Sequence, residues 1–321
     1  QTQENFFRFP LAIEVYEGTK KKRYEVWVDE KSKSFSFKYT NKPDLVNVDA
    51  DRIILAEIND EKSVENLVHL YQNGSKYEDR REAIEGLSNF QDNEMAFKTL
   101  TDALSDSFYG LRILAIDEID LSNAKAKGAI KAIEGLAAND EKTLVRAKAI
   151  DKLETFENPD YIKLFNSSLS RNSSAVKGSA LKALYKLDRE AAMAFASSLD
   201  NDLEKESLKA ALVPVYIIDK TDDEIPFVAS NLIEGIFFSE DKEKVNIYKE
   251  GFQWVADTDN EEATQNLVDS FVQLGVQYKQ YGSDVAAKQA LSVILMRKKE
   301  SNYENKDALV KIVQDGLDKL N

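Results

Sequence analysis

The sequence predicts a mainly α chain in which an array of stacked helices follows a small antiparallel β-sandwich. The first observation behind this is a spaced repeat: a basic residue, a small or apolar residue three positions on, and an aliphatic residue seven positions on. Arg80/Ala83/Leu87, Arg112/Ala115/Ile119, Arg146/Ala149/Leu153, Lys177/Ala180/Leu184 and Lys205/Leu208/Leu212 all fit it, with steps of 32, 34, 31 and 28 residues between basic positions. Offsets of three and seven share one helix face, and a period in this range means stacked helix pairs rather than one compact core. The second observation is period-two alternation confined to the first 58 residues. The third is charge: residues 1–58 carry 10 basic and 10 acidic side chains, so the whole net charge of −14 falls in residues 59–321. That shift marks a boundary between a β module, 1–58, and a helical domain, 59–321.

Along the β module, Leu11, Ile13 and Val15 alternate with polar or small residues as a half-buried strand. Glu17-Gly18-Thr19-Lys20 is a turn in which Gly18 is free to take positive φ. Tyr24, Val26 and Val28 form a second strand; Phe35, Phe37 and Tyr39 a third; Leu45, Val46 and Val48 a fourth, after the turn Asn41-Lys42-Pro43-Asp44; Ile53 to Leu55 a fifth. Such a length is marginal for an independent sandwich, so the module is expected to pack on the helices or on sequence upstream. Trp27, Phe6, Phe7 and Phe9 read as packing groups rather than a stacking platform, and Lys20-Lys21-Lys22-Arg23 as charge that protects a strand edge.

From Ser63 onward apolar residues keep helical spacing: Val64, Leu67, Val68 and Tyr71, then Ala83, Ile84, Leu87 and Phe90, then Phe97, Leu100 and Leu104. Short polar connections such as Asn139-Asp140-Glu141 and Arg171-Asn172-Ser173-Ser174 imply antiparallel neighbours. Asn158-Pro159 is a cap followed by a first-turn proline. Pro214, inside the apolar run from Leu212 to Ile218, is expected to kink or end its helix. Val285, Leu291, Ile294 and Leu295 make one late apolar face, and Arg297-Lys298-Lys299 suits a helix C-terminus.

Composition narrows the function. There is no cysteine, which removes disulfides, thiolate metal sites and cysteine nucleophiles. A net charge of −14 repels a phosphate backbone, so nucleic acid is not an expected partner. No run of 18 apolar residues suggests a membrane span. The chain opens at Gln1-Thr2-Gln3 without Met or a signal pattern and reads as a piece of something longer, with any targeting segment upstream and the compartment open.

The helical part resembles HEAT-type repeats, through Val145-Arg146 and Val176-Lys177 followed by the small residues Ala149 and Ala180. This resemblance implies a HEAT/ARM-like α-α superhelix preceded by the small antiparallel β-sandwich. The pairing of the two modules, with the stretch Pro43-Asp44-Leu45-Val46-Asn47-Val48-Asp49 and the switch to helices near residue 58, looks like the C-terminal half of an aminopeptidase N-family zinc metallopeptidase. In that family a thermolysin-like catalytic domain comes first. The resemblance implies a non-catalytic region that bridges to the catalytic domain of the same chain and caps its cavity, limiting peptide access. Zinc and hydrolase chemistry would belong to the upstream domain. The family's H-E-x-x-H and G-x-M-E-N strings are absent and His69 is the single histidine, so no catalytic, cofactor-binding or metal residue is assigned here. The rival readings are a protein-binding helical scaffold with no enzymatic role and, third, the repeat portion of a transcription or assembly factor of similar architecture without zinc ligands.

His69 reads as packed or on a helix surface rather than as a pH-sensitive contact. Arg80, Arg112 and Arg146 read as structural partners of neighbouring acids rather than as ligands for external carboxylates. Asp222-Asp223-Glu224 and the group Asp257, Asp259, Glu261 and Glu262 read as helix starts rather than calcium sites. Asn73-Gly74-Ser75, Asn166-Ser167-Ser168 and Asn172-Ser173-Ser174 match the glycosylation triplet at the frequency chance allows.

Overall fold

The computed structural model describes residues 7–56 and 58–320. They form three strands and fifteen α-helices, grouped as two compact units, Gln1–Phe156 and Glu157–Asn321. The first unit holds β1 (Phe9–Glu17), β2 (Lys20–Val28), β3 (Leu45–Val48), α1 (Val64–Asn73), α2 (Tyr77–Leu87), α3 (Glu94–Ala103), α4 (Tyr109–Glu118), α5 (Lys127–Asn139) and α6 (Thr143–Glu154). The second holds α7 (Ile162–Leu169), α8 (Ser174–Leu187), α9 (Arg189–Ser197), α10 (Asp202–Asp219), α11 (Ile225–Phe237), α12 (Lys242–Ala256), α13 (Glu261–Gln277), α14 (Ser283–Glu300) and α15 (Lys306–Lys319). The passage from strands to helices thus lies inside the first unit.

The sheet is antiparallel with order β2-β1-β3. Gly18, at φ 59°, closes the β1–β2 hairpin, and its N–H donates to Asp44 Oδ2 at 2.6 Å. One face of β1 turns Tyr16 toward the helices, where Tyr16, Leu45, Leu70 and Ala83 form a buried cluster. On the other face Tyr24, opposite Ile13, stacks its ring on Phe37 with centroids 4.1 Å apart. Two expected strands are not formed. Phe35 to Tyr39 makes no ladder: Phe37 packs as a ring, and the Thr40 and Asn41 N–H groups donate to the Glu17 carboxylate. Ile53 to Leu55 is also irregular. Asp49 and Arg52 take positive φ, and the N–H groups of Ile53 and Ile54 are taken by the Asp49 carboxylate rather than by a neighbouring strand. Of the expected packing aromatics, Phe6 lies outside the described residues, while Phe7 and Trp27 are 56% and 51% exposed and so are not core groups. Trp27 sits on edge strand β2 with the Arg8 guanidinium 4.6 Å over its ring.

The helices of the first unit pack in two rows: α1 on α3 and α3 on α5, then α2 on α4 and α4 on α6, with each odd helix also against its even partner. In the second unit α8, α10, α12 and α14 follow one another in the same way, as do α11, α13 and α15. Every apolar position of the five repeated triplets is buried, Leu208 being the most open at 2%. This burial explains why the repeat is spelled with Ala, Leu and Ile: the small residue lets helices approach and the aliphatic one fills the gap.

Two helix expectations change. Pro214 does not end its helix; α10 runs from Asp202 to Asp219, because Leu212, Val213, Val215, Tyr216 and Ile217 on either side of it are all buried, and that packing outweighs the missing N–H. Val285 is 56% exposed, so the core face of α14 is Ala287, Leu291, Ile294 and Lys298.

Candidate functional site: a ladder of basic residues

Each basic residue of the repeat is the fourth residue of its helix: Arg80 in α2, Arg112 in α4, Arg146 in α6, Lys177 in α8 and Lys205 in α10. That position lies one turn inside the helix, and in α2 and α4 it lets the arginine reach the connection leading to the next helix of its row. Arg80 Nη1 donates to both oxygens of Asp106, at 2.8 and 2.6 Å, and Tyr71 Oη donates to the same carboxylate at 3.1 Å. Asp106 in turn accepts the Phe108 N–H at 2.8 Å, next to the start of α4. Burial and the Asp106 charge push the Tyr71 phenol above its usual range.

Arg112 forms the next rung and the best-built one. Its Nε and Nη2 take the two oxygens of Asp140 side-on, both at 2.8 Å, and its Nη1 donates to the Asp106 carbonyl at 2.8 Å. Asp140 accepts the Lys142 N–H at 2.8 Å beside the start of α6. Arg112 thereby joins two rungs. In the second unit Lys177 pairs with Glu204, and Lys205 with Glu224 at 2.6 Å. Arg146 breaks the series: it is half-buried, and among the described residues its buried Nε has no hydrogen-bond partner.

A second polar cluster fixes the sheet to the helices. Asp79 of α2 is 1% exposed and accepts from Asn47 Nδ2 at 3.1 Å, from Arg52 Nε at 2.9 Å and from Arg52 Nη2 at 2.8 Å. Its other oxygen takes the Lys76 N–H at 3.2 Å, capping α2. Arg52 and Lys62 also share Glu82. This cluster was not singled out from the sequence, because Asn47, Arg52 and Asp79 are separated by loops whose path no local pattern sets. The left-handed residues Asp49 and Arg52 were equally silent.

Lys298 escaped the sequence reading too. Three basic residues near the end of α14 suit that helix's own C-terminus, yet Lys298 is fully buried and donates to the carbonyls of Val255, at 3.4 Å, and Thr258, at the end of α12. Burial pushes its ammonium down to about 8, against the opposing pull of Asp257 and Asp259.

The other residues considered from sequence are not brought together. His69 packs edge-on against Tyr16, centroids 5.4 Å apart, with its Nε2 buried and unpartnered. Glu224 pairs with Lys205 and Asp257 with Arg297 at 2.6 Å, while Glu261 and Glu262 lie in the first turn of α13. Among the described residues no three His, Cys, Asp or Glu side chains are grouped so as to hold a metal ion. With one histidine the chain does not fit a two-histidine zinc centre. Lys21 and Arg23 of the basic run are engaged, with Glu14 at 3.0 Å and with Asp51 at 2.9 Å, on edge strand β2. Of the glycosylation triplets, Asn166 and Asn172 are exposed, Ser168 is buried within α7, and Asn73 Nδ2 donates to the His69 carbonyl at 3.1 Å. Among the described residues no helix is long and apolar enough to cross a membrane. No family model matches the chain, and no curated protein matches it.

Proposed function

We propose that this chain is the non-catalytic C-terminal region of an aminopeptidase N-like zinc aminopeptidase, in which catalysis belongs to a domain upstream. In this reading the three-stranded sheet is part of a small bridging β-sandwich. The helices are HEAT-like repeats wound as an α-α superhelix that caps the catalytic cavity and limits peptide entry. The observation that carries the reading is the junction between the two modules. The stretch Pro43–Asp49, on which the resemblance rests, is built into the helices: Leu45 lies in the cluster with Leu70 and Ala83, and Asn47 bonds Asp79. A bridge that transmits position from one domain to another needs such a fixed joint, and a flexible linker does not. Acidic charge on the helical part favours collection of cationic peptides or amines at a cavity wall.

The experiment is peptidase activity with zinc content, on the natural full-length chain and on residues 1–321 alone. Zinc binding and release of N-terminal residues by the full-length chain only is the expected result. A full-length chain that binds no zinc and cleaves no aminoacyl substrate overturns the proposal. The second reading, a stand-alone binding scaffold, draws support from the regularity of the ladder, since stacked repeats present extended surfaces to partners. A specific partner retained by residues 1–321 without any upstream domain favours that reading.

A further inference from the structure

Helix α14 packs on α12, α13 and α15 and buries Ala287, Leu291, Ile294 and Lys298. Its opposite face carries no charge: Val285, Gln289, Ser292, Val293 and Met296 are all exposed there, Val285 at 56% and Met296 at 53%. A lysine stands three residues after each end of this stripe, Lys288 after Val285 and Lys299 after Met296. The apolar pair and the lysine pair are each 11 residues apart, which is three full turns, so the two ammonium groups line one flank of the stripe about 16 Å from each other. The acids of the helix are turned elsewhere. Asp284 lines a cleft of about 160 Å³ with Lys279 and Lys319, and Glu300 lines one of about 300 Å³ with Arg297. Neither Lys288 nor Lys299 has a carboxylate partner among the described residues. We infer that this face of α14 is a docking surface for an amphipathic helix of a partner protein, one that bears carboxylates 11 residues apart beside an apolar stripe. Carboxylates in step with Lys288 and Lys299 give charge complementarity at the rim, which sets register and partner choice. At physiological salt the screening length of about 8 Å makes these two lysines, rather than the chain's distant net charge of −14, what a docked helix feels. A second copy fits less well, because pairing α14 with itself about a dyad turns Lys288 toward Lys288 on the same flank. A lipid surface also fits less well, because Gln289 and Ser292 interrupt the apolar stripe. The surface lies on the second unit and stands under either reading of the function above.

The test uses residues 1–321 at about 0.15 M salt and the fluorescence anisotropy of three dye-labelled peptides of 18 residues, the length of α14. The first is an alanine-based helix with a leucine stripe and, on its flank, two glutamates 11 residues apart, the spacing of Lys288 and Lys299. The second has lysines in place of the glutamates, and the third has glutamines in place of the leucines. A contact confined to one helix face is small, so the glutamate peptide should bind saturably with a Kd of about 10–100 µM, and the other two about tenfold more weakly or not at all. Lys288→Glu combined with Lys299→Glu should weaken the glutamate peptide about tenfold and bind the lysine peptide in its stead. A thermal melt checks that the double variant folds. No saturation by the glutamate peptide at about 1 mM, equal binding of the three peptides, or binding that the double variant leaves unchanged overturns the inference. So does a dimer in sedimentation equilibrium that Met296→Asp dissociates, which assigns the stripe to a second copy. Binding to phosphatidylserine vesicles that the double variant removes also overturns it, by assigning the stripe to a lipid surface.

Discussion

Replacing Arg112 by Met keeps the apolar stem in place and removes the fork. Arg112 is 7% exposed and Asp140's side chain 5%, so the pair is buried in the row formed by α2, α4 and α6. The substitution deletes two 2.8 Å contacts to Asp140 and one 2.8 Å contact to the Asp106 carbonyl. Asp140 is left buried with the Lys142 N–H alone. Removing one partner of a buried pair costs about 3–5 kcal/mol, because the other charge stays uncompensated. At roughly 2–4 °C per kcal/mol, that is a fall of about 10 °C in Tm. Arg112→Met combined with Asp140→Leu removes both charges and recovers most of the loss, stopping about 1 kcal/mol short because Asp140 also accepts the Lys142 N–H beside the start of α6. The assay is urea unfolding followed by far-UV circular dichroism and by fluorescence. Trp27 lies in the first unit and Trp254 in the second, so variants retaining one tryptophan report each unit separately. A single-variant cost below about 1 kcal/mol, the range of an exposed pair, refutes the reasoning. So does a double variant no more stable than the single.

Three further outcomes are expected. Asp79→Ala leaves Asn47 Nδ2 without its acceptor and Arg52 with Glu82 and a long contact to Asn47 Oδ1, and costs about 3 kcal/mol, read by Trp27 fluorescence before Trp254 responds. Lys298 gives the second unit a pH dependence. Its folded value is about 8, below that of an unfolded lysine, so the unfolded chain holds the proton more firmly between the two. The penalty is fully present below about 8 and is relieved as pH rises toward the ordinary lysine value. Urea midpoints at Trp254 should therefore rise across that window, and Lys298→Met should remove the rise; a midpoint that falls equally in both proteins refutes the assignment. Gly235→Ala would place a Cβ 2.0 Å from the buried Tyr248 ring and cost about 3 kcal/mol, whereas Gly135→Ala, whose Cβ meets nothing within 4 Å, should stabilise α5 by about 1 kcal/mol. Thermal melts of the two variants check the contrast.

What the sequence determined by itself is the helical array and the order of the modules. The repeat is local: three residues within two turns of one helix specify a buried face, and Ala83, Leu87, Ala115, Ile119, Ala149, Leu153, Ala180 and Leu184 are all fully buried. The same local logic holds for the β1–β2 hairpin through Gly18. Tertiary structure decided the rest. Alternation in Phe35–Tyr39 and Ile53–Leu55 is the same whether or not a neighbouring strand exists, and here ring stacking and the Asp49 carboxylate took the groups a ladder needs. Pro214 weakens any isolated helix, but buried neighbours hold it in α10. The partners of the ladder lie 26 to 28 residues away for Arg80 and Arg112, and spacing alone says nothing of which acid a fork will meet. Only packing separates Arg80 and Arg112, each paired with an aspartate, from Arg146, which carries the same local signature but whose Nε has no hydrogen-bond partner among the described residues.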